Sequence, residues 1–289
     1  MGEQGETPGR AAAFAARAED WDCYTTTPLG RLRQDLVTEH LLQHIRSIPG
    51  PLTVLDAGGG TGGYSATLAG LGHRVYLVDF AEQMLDLAER KLAQSHPGLL
   101  ERVDLRCLAI EDLGDHFGKA HFQVVLVHTL LEYLDDPWEG LTSLARLLAP
   151  EGLLSLLVVN PLAEPFQLAW IKRELVLARE ALGQPVGRPD LFGLHRRVLP
   201  PKRARQALAE SGVHVVAEYG IRIFADYFTT EELLDPAFYL QLRELEMSAS
   251  RSEAYRQLAR YLHIVGVKQA DASAYETERP TTDADHLGH

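Results

Sequence analysis

Five short apolar runs set most of what this chain can fold into. They are LTVLDA (52–57), RVYLVD (74–79), VDLRCL (103–108), FQVVLVH (122–128) and EGLLSLLVVN (151–160). Helix-patterned stretches separate them, as in AEQMLDLAERKLAQ (81–94) and again over 138–148. Runs this short and this apolar read as strands buried on both faces, and their alternation with helices predicts an α/β fold with a parallel sheet. Residues 11–48 precede the sheet as two helices around the polar turn TTTPLG. After Asn160 the alternation breaks. A helical stretch (163–182), a Gly/Pro-rich basic loop (183–201) and a helix near 202–211 intervene before the strand HVVAEYG. A helical insertion at 230–259 then precedes a last strand, RYLHIVGVK (260–268). The expected organisation is a helical cap (1–48), a sheet domain (49–268) with insertions at about 161–200 and 230–259, and a polar, disordered tail (269–289), with residues 1–10 also disordered.

The first strand ends in VLDAGGGTGGYS (54–65), which fits two motifs. Gly58, Gly60 and Gly63 spell the G-x-G-x-x-G of a dinucleotide site. Asp56, Gly58, Gly60 and Gly62 spell D-x-G-x-G-x-G, a turn that holds S-adenosylmethionine. Both use glycine to turn sharply and aim a helix N-terminus at the ligand. An acid at position 56 suits a cationic ligand and would repel a pyrophosphate. Asp79 closes the second strand, where a carboxylate accepts both ribose hydroxyls of either cofactor. Two later stretches separate the cases. HTLLEYLDDP (128–137) follows the fourth strand, and LLAPEGLLSL (147–156) turns through Pro-Glu-Gly into the fifth. Both resemble the corresponding segments of class I methyltransferases.

The likeness extends further. GRLRQDL, VLDAGGGTGG, GHRVYLVDFAEQML, HTLLEYLDDP, GLLSLLVVN, GIRIFADYF and ARYLHIVGVK occur in this order. Together they resemble the bacterial tRNA 5-carboxymethoxyuridine methyltransferase family, over roughly residues 14–268. That resemblance implies a Rossmann-like class I sheet, mostly parallel with an antiparallel last strand. It also implies S-adenosylmethionine as cofactor, and methylation of the carboxylate on a modified wobble uridine to its methyl ester. Carried over by position, Arg33 contacts the donor, Gly58, Gly59 and Gly60 approach it, and Asp79 with Phe80 meets the ribose. His128 borders the cofactor, and Ile110 or Glu111 touches the adenine. The spacing of Tyr24 before Gly30 departs from the family pattern by about one residue. The segment 161–199 matches poorly in detail while remaining basic.

A carboxylate acceptor is already ionised at neutral pH, its ordinary pKa being about 4, so no general base is expected and the rate should be flat from about pH 6 to 8. Such a site needs a cation to hold the acid. Arg222 and Arg260 are the candidates, since a guanidinium fork matches a carboxylate, with Tyr24, Tyr227, Tyr261 and Asn160 adding hydrogen bonds.

Charge and composition narrow the partners. The net charge is −12, which argues against general nucleic-acid affinity. Yet Lys172 to Gln206 carries nine Lys/Arg against three Asp/Glu. That segment, with Arg196 and Arg197, is the expected grip on the anticodon loop of a tRNA. The longest aliphatic run, Leu153 to Val159, is interrupted by a serine and is far short of the roughly 20 residues of a membrane span. No secretory leader is legible at the N-terminus. The two cysteines, Cys23 and Cys107, fit a cytoplasmic setting, with Cys107 expected in the core. Twelve scattered histidines show no ligand spacing, and Asp135-Asp136 before Pro137 reads as a turn, so no metal is expected. The competing readings are a small-molecule O- or N-methyltransferase with 160–200 as a lid, and a module that binds the cofactor without turnover.

Overall fold

A computed structural model describes residues 9–46, 48–95, 97–183 and 191–270. Seven strands form one sheet in the order β3-β2-β1-β4-β5-β7-β6. They are β1 (Thr53–Ala57), β2 (Arg74–Asp79), β3 (Val103–Cys107), β4 (Phe122–His128), β5 (Leu148–Val159), β6 (Val213–Ile221) and β7 (Tyr261–Lys268). The first five run parallel, and β7 is antiparallel to both β5 and β6. The expected Rossmann-like arrangement is the one observed.

The central strands are largely apolar because both faces are covered, whereas the edge strands β3 and β6 are not. One core layer joins Val54, Val75, Leu77, Val124 and Leu126 to Leu32, Leu36, Val37 and Leu41. The other joins Leu55, Val78, Val125 and Val127 to Leu141, Leu144, Ala204 and Leu208. Sequence reading made residues 11–48 a cap of two helices, but there are three: α1 (Arg10–Ala16), α2 (Ala18–Thr26) and α3 (Pro28–Ile45). The third is part of the main core rather than a separate cap. Its start lies inside the supposed polar turn, because Thr27 caps it, with Oγ1 accepting from the Gly30 amide at 3.1 Å, and Pro28 suits the first helical position. Arg10 is helical rather than disordered. The supposed tail is still ordered at Gln269, whose amide bonds the Gly212 carbonyl at 2.9 Å. Residues 1–8 and 271–289 lie outside the described residues. Cys107 is exposed, not in the core, because β3 is the sheet edge.

Chain direction reverses across the sheet between β1 and β4. Ligands of open α/β sheets bind at such a point, beyond the carboxyl ends of the strands. The antiparallel β7 begins at the same rim where β5 and β6 end: Tyr261 pairs with Val159 on one side and Ile221 on the other. The fold therefore delivers Asn160, Arg222, Arg260 and Tyr261 to one edge.

Candidate functional site

The glycine turn is built by backbone that other residues cannot adopt cheaply. Gly58, Gly60 and Gly62 have φ of 66°, 56° and 75°, the left-handed region where a Cβ is strained. Gly59 lacks this constraint but sits against Asp56: a Cβ there would lie 2.7 Å from the Asp56 carboxyl carbon. The turn's amides are largely spent within the protein. Gly58 and Gly59 both donate to the Val78 carbonyl (2.8 and 3.1 Å), and Gly62 to the Gly59 carbonyl (3.1 Å). Gly60 donates to Asp79 Oδ2 at 3.0 Å. The cradle of free amides that a dinucleotide's pyrophosphate would need is therefore not what these four residues offer. What lines the cleft instead is a set of polar side chains.

That cleft is bordered by Arg33, Asp56, Gly58, Gly59, Gly60, Tyr64, Asp79 and His128, under a cover of Phe14, Trp21, Tyr133 and Phe192. Asp79 also accepts from the Ala81 amide at 2.9 Å. Burial pushes its carboxyl up to about 6, against the pull of those amides. Asp56 is likewise raised to about 6 by burial, and its Oδ2 accepts from Ser65 Oγ at 2.7 Å. His128 is held neutral, lowered to about 3 by burial. Its Nε2 pairs with Ser155 Oγ at 2.8 Å, and the same oxygen pairs with His263 Nε2 at 2.8 Å. Arg33 Nε, Tyr64 Oη and His128 Nδ1 are buried without a hydrogen-bond partner. Leaving such groups unpaired costs about 1–3 kcal/mol each, so the cleft is built for a polar ligand. S-Adenosylmethionine fits this set: acids suit its sulfonium and ammonium, and Asp79 its ribose. The cleft holds about 90 Å³, below the usual ligand-pocket range of roughly 300–1,000 Å³.

A second cavity of about 410 Å³ adjoins the first and shares Trp21, Tyr133, Phe192, Arg196 and Tyr261 with it. Among the described residues four cations line it, Lys172, Arg196, Arg222 and Arg260, with Glu164 the only acid. Arg222 stands just past β6 at φ 59°, a conformation rare for a residue with a side chain. Glu246 explains how it is held. Its fully buried carboxylate accepts the amides of Ile223, Phe224 and Ala225 at 2.7, 2.8 and 2.9 Å. The Arg222 guanidinium is paired with Asp226 and donates to Tyr24 Oη at 2.7 Å.

Tyr261 is the hinge between the cavities. The guanidiniums of Arg33, Arg222 and Arg260 lie 5.6, 5.7 and 5.9 Å from its ring centre. Burial would raise its phenol, but Arg222, Arg33 and Arg260 outweigh burial and bring it down to about 7. The site thus holds a group that titrates near neutrality, where sequence reading expected none.

Several expected contacts go elsewhere. Phe80, Ile110 and Glu111 do not line the donor cleft. Phe80 packs edge-on to Phe14 at 5.4 Å, Ile110 is in the core beside Val78, and Glu111 faces solvent. Asn160 borders the acceptor cavity, but its side chain is consumed by structure. Nδ2 donates to the Gln257 and Ala259 carbonyls at 2.8 Å each, and Oδ1 caps the Leu162 amide at 3.1 Å. Arg197 does not face the cavity either: its Nε donates to the Leu134 carbonyl at 2.8 Å. Tyr227 lies outside the cavity lining, half-exposed beside Trp170. Among its described residues the basic segment is dispersed rather than continuous, and residues 184–190, with Arg188, lie outside the described residues. Arg203 pairs with Glu210 at 2.8 Å, and Arg205 pairs with Glu218.

Sequence reading missed Trp21, Tyr64, Asp226 and Glu246. Glu246 had a legible signal: it shares a helix face with the buried Leu242 and Ala249, where an acid needs buried donors. Trp21 and Tyr64 carried none, since aromatic residues at helical spacing are ordinarily core. Among the described residues no group of three or more His, Cys, Asp or Glu is placed to hold a metal ion, and no helix is long and apolar enough to cross a membrane.

Comparison with known proteins agrees with this geometry. Residues 55–154 match the family model described as a methyltransferase domain. The chain is 31% identical over 256 residues to the tRNA 5-carboxymethoxyuridine methyltransferase of Escherichia coli (strain K12), covering 85% of this chain and 91% of that one. It is 33% identical over 170 residues to a ubiquinone biosynthesis O-methyltransferase of Caulobacter sp. (strain K31), covering 59% and 62%. In fold it resembles the magnesium protoporphyrin IX methyltransferase of Synechocystis PCC 6803 with bound SAH, with a TM-score of 0.59, 17% identity, and coverage of 90% and 98%. An S-adenosylmethionine-dependent methyltransferase is therefore at hand, and the chain belongs to the tRNA 5-carboxymethoxyuridine methyltransferase family.

Proposed function

We propose that this enzyme methylates the carboxylate of 5-carboxymethoxyuridine at the wobble position of tRNA, giving the methyl ester, and that it does so in the cytoplasm. The observation that carries this reading is the acceptor cavity: four cations and one acid, meeting the donor cleft at Tyr261. Arg222 is buried and paired with Asp226, while the half-buried Arg196 and Arg260 and the exposed Lys172 leave the lining net positive, which an anion complements. A neutral phenol or an amine would leave it uncompensated, which disfavours a small-molecule O- or N-methyltransferase. The ubiquinone biosynthesis O-methyltransferase of Caulobacter matches a smaller share of the chain, 59% against 85%.

When bound, S-adenosylmethionine supplies a methyl group on a sulfonium centre; its transfer to a carboxylate oxygen forms one C–O bond, breaks one S–C bond and moves no proton. Arg33, Asp56, Tyr64, Asp79 and His128 would hold the donor. Arg260 and Arg196 are the guanidiniums open to the acceptor, because Arg222 is already paired with Asp226 and Tyr24. Arg222 acts by fixing those partners and the local field. The protein contributes alignment, which accounts for most of what an enzyme adds to a displacement of this kind. Phe14, Trp21, Tyr133 and Phe192 keep water from the cleft.

The test is methylation of tRNA bearing 5-carboxymethoxyuridine, against the same tRNA lacking the carboxylate. The first should accept methyl from the donor and the second should not. Equal labelling of both would refute the carboxylate as acceptor.

A further inference from the structure

The insertion after β5 carries an aromatic surface that the chemistry above does not use. Its chain runs through a one-turn segment, Pro161–Ala163, a wide-turned segment, Gln167–Ile171, and a helix, Leu175–Gly183. It has a small core of its own, Leu168, Ala178 and Ala181. Between the two helical parts the chain reverses at Arg173, at φ 61°. This costly backbone is held by bonds from the Lys172 amide to the Gln167 carbonyl (3.0 Å) and from the Glu174 amide to the Leu168 carbonyl (2.8 Å). The reversal leaves Trp170 at the turn with 61% of its surface in solvent. Trp170 is one of several exposed apolar residues of this insertion, with Phe166, Ile171, Leu175 and Val176, and three features set it apart.

First, Tyr227 stands perpendicular to it, 89° between planes and 6.3 Å between centres, so the two rings form an open corner. Second, cations flank it. The Arg173 guanidinium lies 5.9 Å from the Trp170 ring, and Lys172 lines the acceptor cavity. Among the described residues neither cation is in an ion pair. Third, the corner is tied to the acceptor cavity. Gln167 lines that cavity and donates to Asp226 Oδ2 at 3.1 Å, and Asp226 is the partner of Arg222. The position of the corner is therefore set relative to the arginines.

We propose that Trp170, with Tyr227 and Arg173, is a stacking platform for an unpaired nucleobase next to the nucleoside being methylated. Sequence-tolerant recognition of single-stranded RNA uses this combination: an exposed aromatic face for the base, and nearby cations for its phosphates. A flanking base held there leaves its neighbour free to enter the cavity with its carboxylate. A purely apolar partner would leave Lys172 and Arg173 without counter-charge, so the platform fits a polyanion with flat bases. The proposal rests on the tRNA reading and extends it.

Trp170→Ala, Trp170→Phe and the unaltered enzyme are compared on tRNA bearing 5-carboxymethoxyuridine and on the free nucleoside, with donor binding measured by calorimetry. Loss of one stacked base corresponds to roughly fivefold to 150-fold. We therefore expect Trp170→Ala to lower kcat/KM on tRNA by tenfold or more, and Trp170→Phe to retain most of it. Turnover of the free nucleoside and donor affinity should stay unchanged. If the unaltered enzyme methylates the tRNA and Trp170→Ala does so equally well, the platform is wrong while the function stands. An equal loss on tRNA and free nucleoside, or loss of donor binding, would make Trp170 structural and overturn the proposal. A change only in self-association would assign the patch to a second copy of the chain and overturn it as well. No methylation of the tRNA by the unaltered enzyme would remove the functional reading itself, and the platform with it.

Discussion

The donor cleft and the acceptor cavity share a wall but are built in opposite ways. The cleft has a local motif at its base, Asp56 to Tyr64, shaped by backbone that only glycine adopts cheaply, to which Phe14, Trp21, Arg33, Asp79 and His128 are added from elsewhere. The acceptor cavity is made by residues brought together from across the chain. Tyr24 and Arg222 meet across 198 positions, and Lys172, Arg196 and Arg260 reach the cavity from separate segments. In the cleft Asp56 and Asp79 are balanced by Arg33 and Arg196, whereas the cavity is basic. On the proposed reading, the donor meets the glycine motif and an anionic acceptor meets the arginines gathered by the fold. Changes on the two sides should separate in their kinetic effects.

The largest separation is expected at Arg222. Removing one partner of a buried ion pair costs about 3–5 kcal/mol, because the other charge is left uncompensated. Arg222→Ala strands Asp226 and frees Tyr24, so kcat/KM on tRNA should fall more than 100-fold. Donor affinity, measured by calorimetry, should stay within a few-fold. A parallel collapse of donor binding would break the comparison, since the two sites would then be one unit.

Asp79→Ala should give the reverse pattern. A hydrogen bond to a charged group contributes roughly 1.5–3 kcal/mol, so losing those to a ribose should raise the donor's dissociation constant more than tenfold. The affinity of the unaltered enzyme should also weaken as pH falls through about 6. Burial raises the Asp79 carboxyl to that value, and only the ionised form accepts from both hydroxyls. An affinity flat from pH 7 to 5 would remove Asp79 from the ribose.

The smallest effect belongs to Tyr261 and sharpens the boundary between the two sites. Its phenol ionises near 7 because Arg222, Arg33 and Arg260 favour the phenolate. Above that pH the phenolate competes with an acceptor carboxylate for the same guanidiniums. The profile should therefore not be flat. On tRNA, kcat/KM should fall about threefold between pH 6.5 and 7.5, since it follows ionisation of the free enzyme. Tyr261→Phe should flatten that limb. A rate that rises over this range would point to an acceptor that must lose a proton.

How much of this was legible in the sequence differs between the two halves. The strands β2 and β4 fall where the apolar runs placed them, and β1 and β3 differ only at their ends, because a strand buried on both faces must be continuously apolar. The glycine turn was legible for a similar reason: positive φ at Gly58, Gly60 and Gly62 leaves a spaced mark in the chain. Asp56, Asp79 and His128 followed, since strand ends on a parallel sheet point to one crevice.

The arginine cavity was named by likeness, but tertiary structure alone distributed its roles. Sequence cannot say which guanidinium is already paired: Asp226 takes Arg222, the Leu134 carbonyl takes Arg197, and Arg260 and Arg196 remain for the acceptor. Nor does it show that Asn160 spends its amide on Gln257 and Ala259. A charge on a long flexible side chain reaches several partners, and packing chooses among them. Glu246 is the clearest case. The sequence marks it as an acid on an apolar helix face, and only the fold supplies the three amides of Ile223, Phe224 and Ala225 that make its burial tolerable. Local backbone constraints leave a pattern in sequence because each is met by the residue that bears it. Long-range pairing of charges does not, because it is satisfied by residues whose proximity exists only once the chain has folded.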